Sequence, residues 1–161
     1  MRTLHLLRHA KSDWGHPGLS DVERPLNGRG RRDAKALHKY LDKHPIALDA
    51  VFCSPARRAR ETLEAIAPAL GGARLVEEAG LYGAAADELL SFVRDLPDEL
   101  EAVMLVGHNP GLEVVARALV HEGKAFGTCT LATITFEGAD WPAAGPRKGR
   151  LASFLTHADF A

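Results

Sequence analysis

Residues 49–66 read DAVFCSPARRARETLEAI, and this stretch decides the fold because it joins a strand to a helix. The run at 49–53 is short and apolar, which is typical of a buried strand. Ser54 and Pro55 then predict a helix start, with Ser54 as N-cap and Pro55 as the first helical residue. The apolar positions that follow are spaced as on the buried face of a helix: Ala59, Leu63, Ile66 and Leu70. A buried strand followed by an amphipathic helix is the unit of a parallel α/β sheet.

The same pattern occurs on both sides of this stretch. Residues 3–7 predict a buried strand, and residues 28–43 predict a helix after a loop rich in Gly and Pro. Residues 102–106 predict another buried strand, and Asn109 and Pro110 predict the start of the next helix. The other predicted elements are strands at 74–77, 130–136 and 151–156 and a helix at 87–96. We therefore expect a three-layer α/β/α fold. Its mostly parallel sheet has about six strands, with one antiparallel strand near the edge.

The composition excludes several classes of protein. Of 161 residues, 46% are hydrophobic and 25% charged, as in ordinary globular chains. The formal net charge is -1, so we expect no nucleic-acid partner. No apolar run approaches the length of a membrane span, and the N-terminal one is too short for a signal peptide. We therefore expect no membrane partner. Cys53 and Cys129 predict no disulfide framework, so we expect a cytoplasmic protein.

Polar clusters follow three of the predicted buried strands. They are Arg8-His9, Ser54 with the arginines at 57, 58 and 60, and Gly107-His108-Asn109. The carboxyl ends of neighbouring parallel strands face one crevice, and helix N-termini that open there favour anions. Each cluster alone is explained by a solvated loop or helix face, but three at successive strand ends favour a site. The sequence therefore predicts a small positive pocket for a phosphate or carboxylate, which the planar fork of Arg binds well.

These clusters resemble the three motifs of the histidine phosphatase superfamily, also called the phosphoglycerate-mutase-like family. Residues 7–12 (LRHAKS) resemble its Arg-His-Gly signature, and residues 54–62 (SPARRARET) resemble its Ser-x-x-x-Arg-Ala-x-x-Thr motif. Residues 107–109 (GHN) resemble the motif that holds the second histidine. Within the superfamily the chain looks most like the SixA-like phosphohistidine phosphatases. Ala10 replaces the usual Gly, and residues 24–30 (RPLNGRG) match an Arg-Pro-Leu-x-x-x-Gly loop.

The resemblance implies one histidine phosphatase domain over residues 1–161 that acts without metal or cofactor. His9 would be the nucleophile and would form a phosphohistidine intermediate. Arg8 and Arg58 would clamp the phosphoryl oxygens, and His108 would donate a hydrogen bond to them. Arg58 is preferred to Arg57 because it stands four residues after the motif serine.

Further contacts with the substrate are harder to assign. Ser12 and Asn109 are candidate phosphate-binding residues. Glu77 and Glu78 lie where relatives that cleave alcohol phosphates carry a carboxylate, and Glu78 is our candidate proton donor. The alternative is that both glutamates face water at a strand end. A phosphorylated imidazole is a good leaving group, so the lack of a clear acid favours a nitrogen–phosphorus substrate.

Three functions stay open at this point. The first is a phosphatase acting on phosphohistidine in a partner protein, and the second is a phosphatase for a small sugar or nucleotide phosphate. The third is a phosphate-binding module without catalysis, which the retention of both histidines and both arginines disfavours. We expect Tyr82 and both tryptophans to be packing residues, with Trp14 bordering the pocket. His16 is expected to be a solvated loop residue.

Overall fold

The structure is a computed structural model that describes residues 1–160. Within these residues six strands form one sheet: β1 (Arg2–Arg8), β2 (Ala50–Cys53), β3 (Arg74–Glu77), β4 (Ala102–Gly107), β5 (Leu131–Phe136) and β6 (Gly149–Leu155). The α-helices of the same range are α1 (Gly28–Lys43), α2 (Arg57–Ile66), α3 (Ala86–Arg94) and α4 (Gly111–Leu119). Strands alternate with helices through β4 and α4, as a parallel α/β sheet requires.

The strand order across the sheet is β3-β2-β4-β1-β5-β6. Strands β3, β2, β4 and β1 pair in parallel, whereas β5 runs antiparallel to β1 and β6 antiparallel to β5. The predicted mostly parallel sheet with an antiparallel strand near one edge is therefore confirmed. In the registers, Arg8 pairs with Gly107 and Cys53 with Val106. Neighbouring strands thus end side by side, and the residues that follow them share one edge.

Apolar side chains cover both faces of the sheet. On one face, Leu37 and Leu41 of α1 and Ile66 of α2 pack with Leu7 of β1. The other face carries a cluster formed by α3, α4 and the sheet, with these members among others: Leu4, Leu6, Leu89, Val93, Leu112 and Leu119. Burial of each such side chain stabilises the fold by about 1.5–3 kcal/mol. The three-layer arrangement follows from these two clusters.

The predicted start of α2 is wrong by two residues. The helix begins at Arg57, and Ala56 occupies the cap position without a side-chain hydrogen bond. Ser54 Oγ instead accepts a hydrogen bond from the Ala56 N–H at 3.2 Å and lies 2.7 Å from His108 Nε2. The serine therefore belongs to a turn that faces the third motif, because a contact distant in sequence competes with the local capping signal.

The start of α4 also differs from the predicted one. The helix begins at Gly111, so Pro110 stands at the cap position and is not the first helical residue. Asn109 still serves the helix, because its Oδ1 accepts a hydrogen bond from the Glu113 N–H at 3.3 Å. Both cysteines are buried and unpaired, as predicted. Among residues 1–160, no helix has the length and apolar character needed to cross a bilayer.

Candidate active site

The polar residues that follow β1, β2 and β4 meet in a cavity of about 320 Å³. The lining includes six of the residues singled out from the sequence: Arg8, His9, Ser12, Arg58, His108 and Asn109. A larger cavity of about 650 Å³ lies beside β5 and β6, but its lining contains no histidine. The smaller cavity is therefore the candidate active site, since it combines acid–base groups with positive charge.

His9 is buried and fixed in one orientation. Its Nδ1 lies 2.7 Å from the carbonyl oxygen of Ala10, so Nδ1–H donates there and the lone pair of the neutral ring is on Nε2. The pKa of His9 is lowered to about 3, mainly by burial; the hydrogen bond to Ala10 opposes the shift, and the positive charges of Arg58 and Arg8, with that of His108 when it is protonated, add to it. His9 is thus neutral at pH 7, which is the state a nucleophile needs.

The loop that carries His9 is tied to α2 through one threonine. The buried Thr62 Oγ1 accepts a hydrogen bond from the Ala10 N–H at 3.0 Å and donates to the Arg58 carbonyl at 2.8 Å. This threonine is the last residue of the second motif. It holds the first motif against the helix that supplies Arg58, so it acts as a positioning residue.

Arg58 projects into the cavity, whereas Arg57 does not. Arg58 is buried, and its Nη1 and Nη2 donate to the carbonyl and the carboxylate of Asp21 at 2.8 and 3.1 Å. Arg57 is exposed and pairs with Glu61 at 3.2 Å. One residue along a helix turns the side chain by about 100°, so only one of two successive arginines can face the site.

Arg8 is the second guanidinium at the cavity. Its Nη1 donates to the Phe126 carbonyl at 2.8 Å. Burial lowers the pKa of Arg8, with the charge of Glu113 opposing the shift and that of Arg58 adding to it, but the group stays cationic. The Nε atoms of both arginines are buried without a hydrogen-bond partner in residues 1–160. Two guanidinium cations that line one cavity favour an anionic ligand.

His108 is oriented by Ser54. The fully buried Ser54 Oγ accepts from the Ala56 N–H and lies 2.7 Å from His108 Nε2, so it holds one edge of the imidazole ring in place. His108 Nδ1, on the other edge, lies 3.4 Å from Arg58 Nη2. The ring therefore faces the same part of the cavity as the Arg58 guanidinium. Burial, followed by the charge of Arg58, lowers the pKa of His108 to about 4, so the ring is neutral at pH 7.

Sequence reasoning missed a carboxylate at the cavity. Asp21, in a 3-10 turn at Asp21–Glu23, accepts hydrogen bonds from Tyr82 Oη–H at 2.6 Å, from Arg24 Nε at 3.1 Å and from Arg58. The Tyr82 hydrogen bond is the main cause that lowers the pKa of Asp21 to about 2, and Arg24 and Arg58 add to it. The only sequence signal for this turn is the Arg-Pro-Leu match that begins at Arg24.

The aromatic residues near the cavity differ in role. Trp141 is fully buried, as expected of a packing residue. The prediction that Tyr82 packs is wrong, because this ring is 39% exposed, bonds Asp21 and meets the His108 ring edge-on at 5.7 Å. Trp14 borders the cavity, as expected, and it is 76% exposed, so it is not a packing residue either. Its ring lies 3.5 Å from the Arg24 guanidinium.

The remaining candidates lie in different places. Ser12 Oγ accepts a hydrogen bond from Arg24 at 2.7 Å, and Asn109 Nδ2 donates to the Phe126 carbonyl at 2.9 Å, so both line the cavity with side chains already engaged. Glu78 is not part of the cavity lining; its carboxylate accepts from the Gly80 N–H at 3.1 Å. His16 is exposed and lies 3.2 Å from Asp13. Among residues 1–160, no group of three His, Cys, Asp or Glu side chains is arranged to hold a metal ion.

Comparison with known proteins identifies the class. The model of the histidine phosphatase superfamily (branch 1) matches residues 4–87, just over half of the chain. The chain belongs to the histidine phosphatase superfamily, which supports activity as a phosphatase, a hydrolase of phosphorylated substrates.

Within that superfamily the chain is SixA-like. A crystal structure from Agrobacterium tumefaciens, provisionally assigned as the phosphohistidine phosphatase SixA, matches 96% of this chain and 97% of its own, with TM-score 0.83 and 30% identity. A second, from Nakamurella multipartitia with the same provisional assignment, gives TM-score 0.81 and 31% identity over 96% of this chain and 95% of its own. An uncharacterized protein of Mycobacterium tuberculosis is 38% identical over 113 residues, which are 70% of this chain and 69% of that protein.

Proposed function

We propose that this chain hydrolyses the nitrogen–phosphorus bond of phosphohistidine on a partner protein. The observation that carries the proposal is the state of Asp21, the only carboxylate that lines the cavity within residues 1–160. With a pKa of about 2 and three donors bound to it, Asp21 has no proton to give at neutral pH. Cleavage of an alcohol phosphate is helped by an acid that protonates the departing oxygen. A phosphorylated imidazole departs as a neutral ring when its other nitrogen carries a proton, so it makes no such demand.

The proposed reaction has two displacements at phosphorus. The lone pair on Nε2 of His9 attacks phosphorus, and the bond to the substrate imidazole breaks with its electron pair on the departing nitrogen. Water then attacks the phosphoryl group on His9. Its oxygen bonds phosphorus, the bond to Nε2 breaks, and one water proton passes to solvent or phosphate. The charges of Arg8 and Arg58 and a hydrogen bond from His108 would stabilise the equatorial oxygens in both steps.

The test is phosphate release by the purified protein in the presence of a chelator. One substrate is N-phosphorylated imidazole or a phosphohistidine peptide, and the other is a panel of sugar and nucleotide phosphates. His9→Ala is the blank, and His44→Ala, an exposed histidine, is the matched control. Release from the nitrogen–phosphorus substrates that depends on His9 and exceeds release from the esters supports the proposal. A preference for the esters would contradict it and favour a small-metabolite phosphatase.

Two further variants separate the alternatives. Glu78→Gln should leave the rate unchanged, because the carboxylate does not line the cavity. A large loss in this variant, for the esters in particular, would restore Glu78 as proton donor. Absence of release from every substrate, with phosphate binding that is lost in Arg58→Ala, would favour the binding module.

A further inference from the structure

Positive charge is concentrated on α1. The helix holds six of the 20 Lys and Arg residues of the chain but only two of its 21 Asp and Glu residues. Its 16 residues therefore carry a formal charge of +4, whereas the rest of the chain carries -5. An almost neutral protein thus presents one strongly basic element.

The cations of α1 lie on its exposed side. Ala34, Leu37 and Leu41 are buried against the sheet and α2. Five exposed residues form what we term the α1 basic face: Arg31, Arg32, Lys35, Lys39 and Lys43. Four of them recur every fourth residue, which places them in one row along the helix. At 1.5 Å per residue the row is about 18 Å long.

The α1 basic face is not neutralised by neighbours. The two carboxylates of the helix are engaged elsewhere, Asp33 with Arg29 at 3.5 Å and Asp42 with His38 at 3.2 Å. Asp159, which lies near Lys39 and Lys43, accepts from the Thr156 N–H at 2.8 Å. No ion pair within residues 1–160 includes a residue of the α1 basic face. Its charge is therefore available to an external partner.

The start of α1 adjoins the active-site cavity. Asn27, the N-cap, donates its backbone N–H to the carbonyl of Lys11 at 3.0 Å, and exposed Lys11 itself lines the cavity. Gly30 packs so closely that a Cβ there would overlap the Lys11 carbonyl oxygen. A macromolecule bound along α1 would thus have its nearest end beside His9.

We infer that the α1 basic face docks a carboxylate-rich surface segment of the phosphorylated partner protein. The inference rests on the proposed function, because it supplies the partner of the same site. Charge complementarity favours a short acidic segment over a nucleic acid. The rest of the chain carries a net charge of -5, so it repels a polyanion that extends beyond the α1 row. Exposed charges act mainly by steering the encounter, so the effect should fall with salt.

The test uses two synthetic peptides that each carry one phosphohistidine. One has an Asp/Glu tail of about eight residues, long enough when extended at about 3.4 Å per residue to span the row, and the other has a Gln/Asn tail of equal length. The protein is compared with Lys35→Glu/Lys39→Glu and with the matched control Arg94→Glu/Lys148→Glu, which reverses two exposed cations outside α1. Small N-phosphorylated imidazole reports the chemistry alone. Fluorescence anisotropy of the unphosphorylated acidic peptide reports docking without chemistry.

The acidic peptide should have a KM about tenfold or more below that of the neutral peptide at low salt. The difference in KM should vanish in Lys35→Glu/Lys39→Glu and persist in the control. It should also vanish near about 0.5 M salt, where the Debye screening length is only a few ångströms. The rate with N-phosphorylated imidazole should not change.

Equal KM values for the two peptides, or loss of the difference in the control as well, would overturn the inference. Binding of a single-stranded oligonucleotide more tightly than the acidic peptide would reassign the face to nucleic acid. Dimers that Lys35→Glu/Lys39→Glu abolishes would reassign it to a second copy of the chain. If no substrate is hydrolysed, the proposed function fails, and the anisotropy still decides the docking.

Discussion

His9 should stay neutral at pH values far below those at which an ordinary histidine is protonated. Burial, reinforced by the charges of Arg58 and Arg8, lowers the pKa of His9 from 6.5 to about 3. At pH 5 an imidazole of pKa 6.5 is about 3% neutral, whereas His9 would be about 99% neutral. The fraction able to attack phosphorus is therefore about 30 times that of an unperturbed ring. The folded protein should keep a competent nucleophile through this range.

The assay is an NMR titration of the histidine ring resonances of the folded protein, with His9→Ala to assign the signal. Free N-acetylhistidine amide in the same buffer is the reference. Single-turnover transfer from N-phosphorylated imidazole is measured in parallel and corrected for ionisation of the substrate. A His9 resonance that titrates near 6.5, or an acid limb there in the corrected rate, would refute the reasoning from burial.

Other predictions concern stability and orientation. Burial lowers the pKa of His5 to about 4, so between pH 4 and 6.5 the unfolded chain binds more protons at this residue than the folded chain does. About 3 kcal/mol of unfolding free energy, present above pH 6.5, should therefore be lost as the pH falls to 4. Urea unfolding of His5→Asn should show a shallower dependence on pH. Ser54→Ala should lower kcat/KM about a hundredfold in steady-state assays, because the His108 ring loses the hydrogen bond that orients it; an unchanged value would contradict that role. Gly30→Ala should destabilise the protein by about 1–3 kcal/mol in urea, since its Cβ meets the Lys11 carbonyl; a gain from better helix propensity would contradict the packing.

Local signals in the sequence determine much of the fold. Residues 28–43 form a helix as predicted, because Asn27 Oδ1 accepts from the Gly30 N–H and the apolar spacing marks one buried face. The convergence of His9, Arg58 and His108 was also predictable, since parallel strands that pair side by side must end at one edge.

The parts that sequence reasoning missed depend on contacts distant along the chain. Asp21 and Tyr82 are 61 residues apart in loops without periodicity, and their hydrogen bond exists only after the fold closes. The sequence around Ser54 predicts a helix cap, but in the structure its hydroxyl is hydrogen-bonded to His108, which lies 54 residues further along the chain. Helix-capping propensity depends only on residues that are close in sequence, so a buried hydrogen-bond partner elsewhere in the chain overrides it.

The hydrogen bond from His9 to the Ala10 carbonyl also determines a property of the proposed intermediate. Phosphohistidine exists as two isomers, π and τ, according to which ring nitrogen holds phosphorus. Because Nδ1 of His9 keeps its proton for the carbonyl, the trapped enzyme should contain the τ isomer alone. Antibodies selective for the τ isomer should then recognise the quenched protein, and those selective for the π isomer should not.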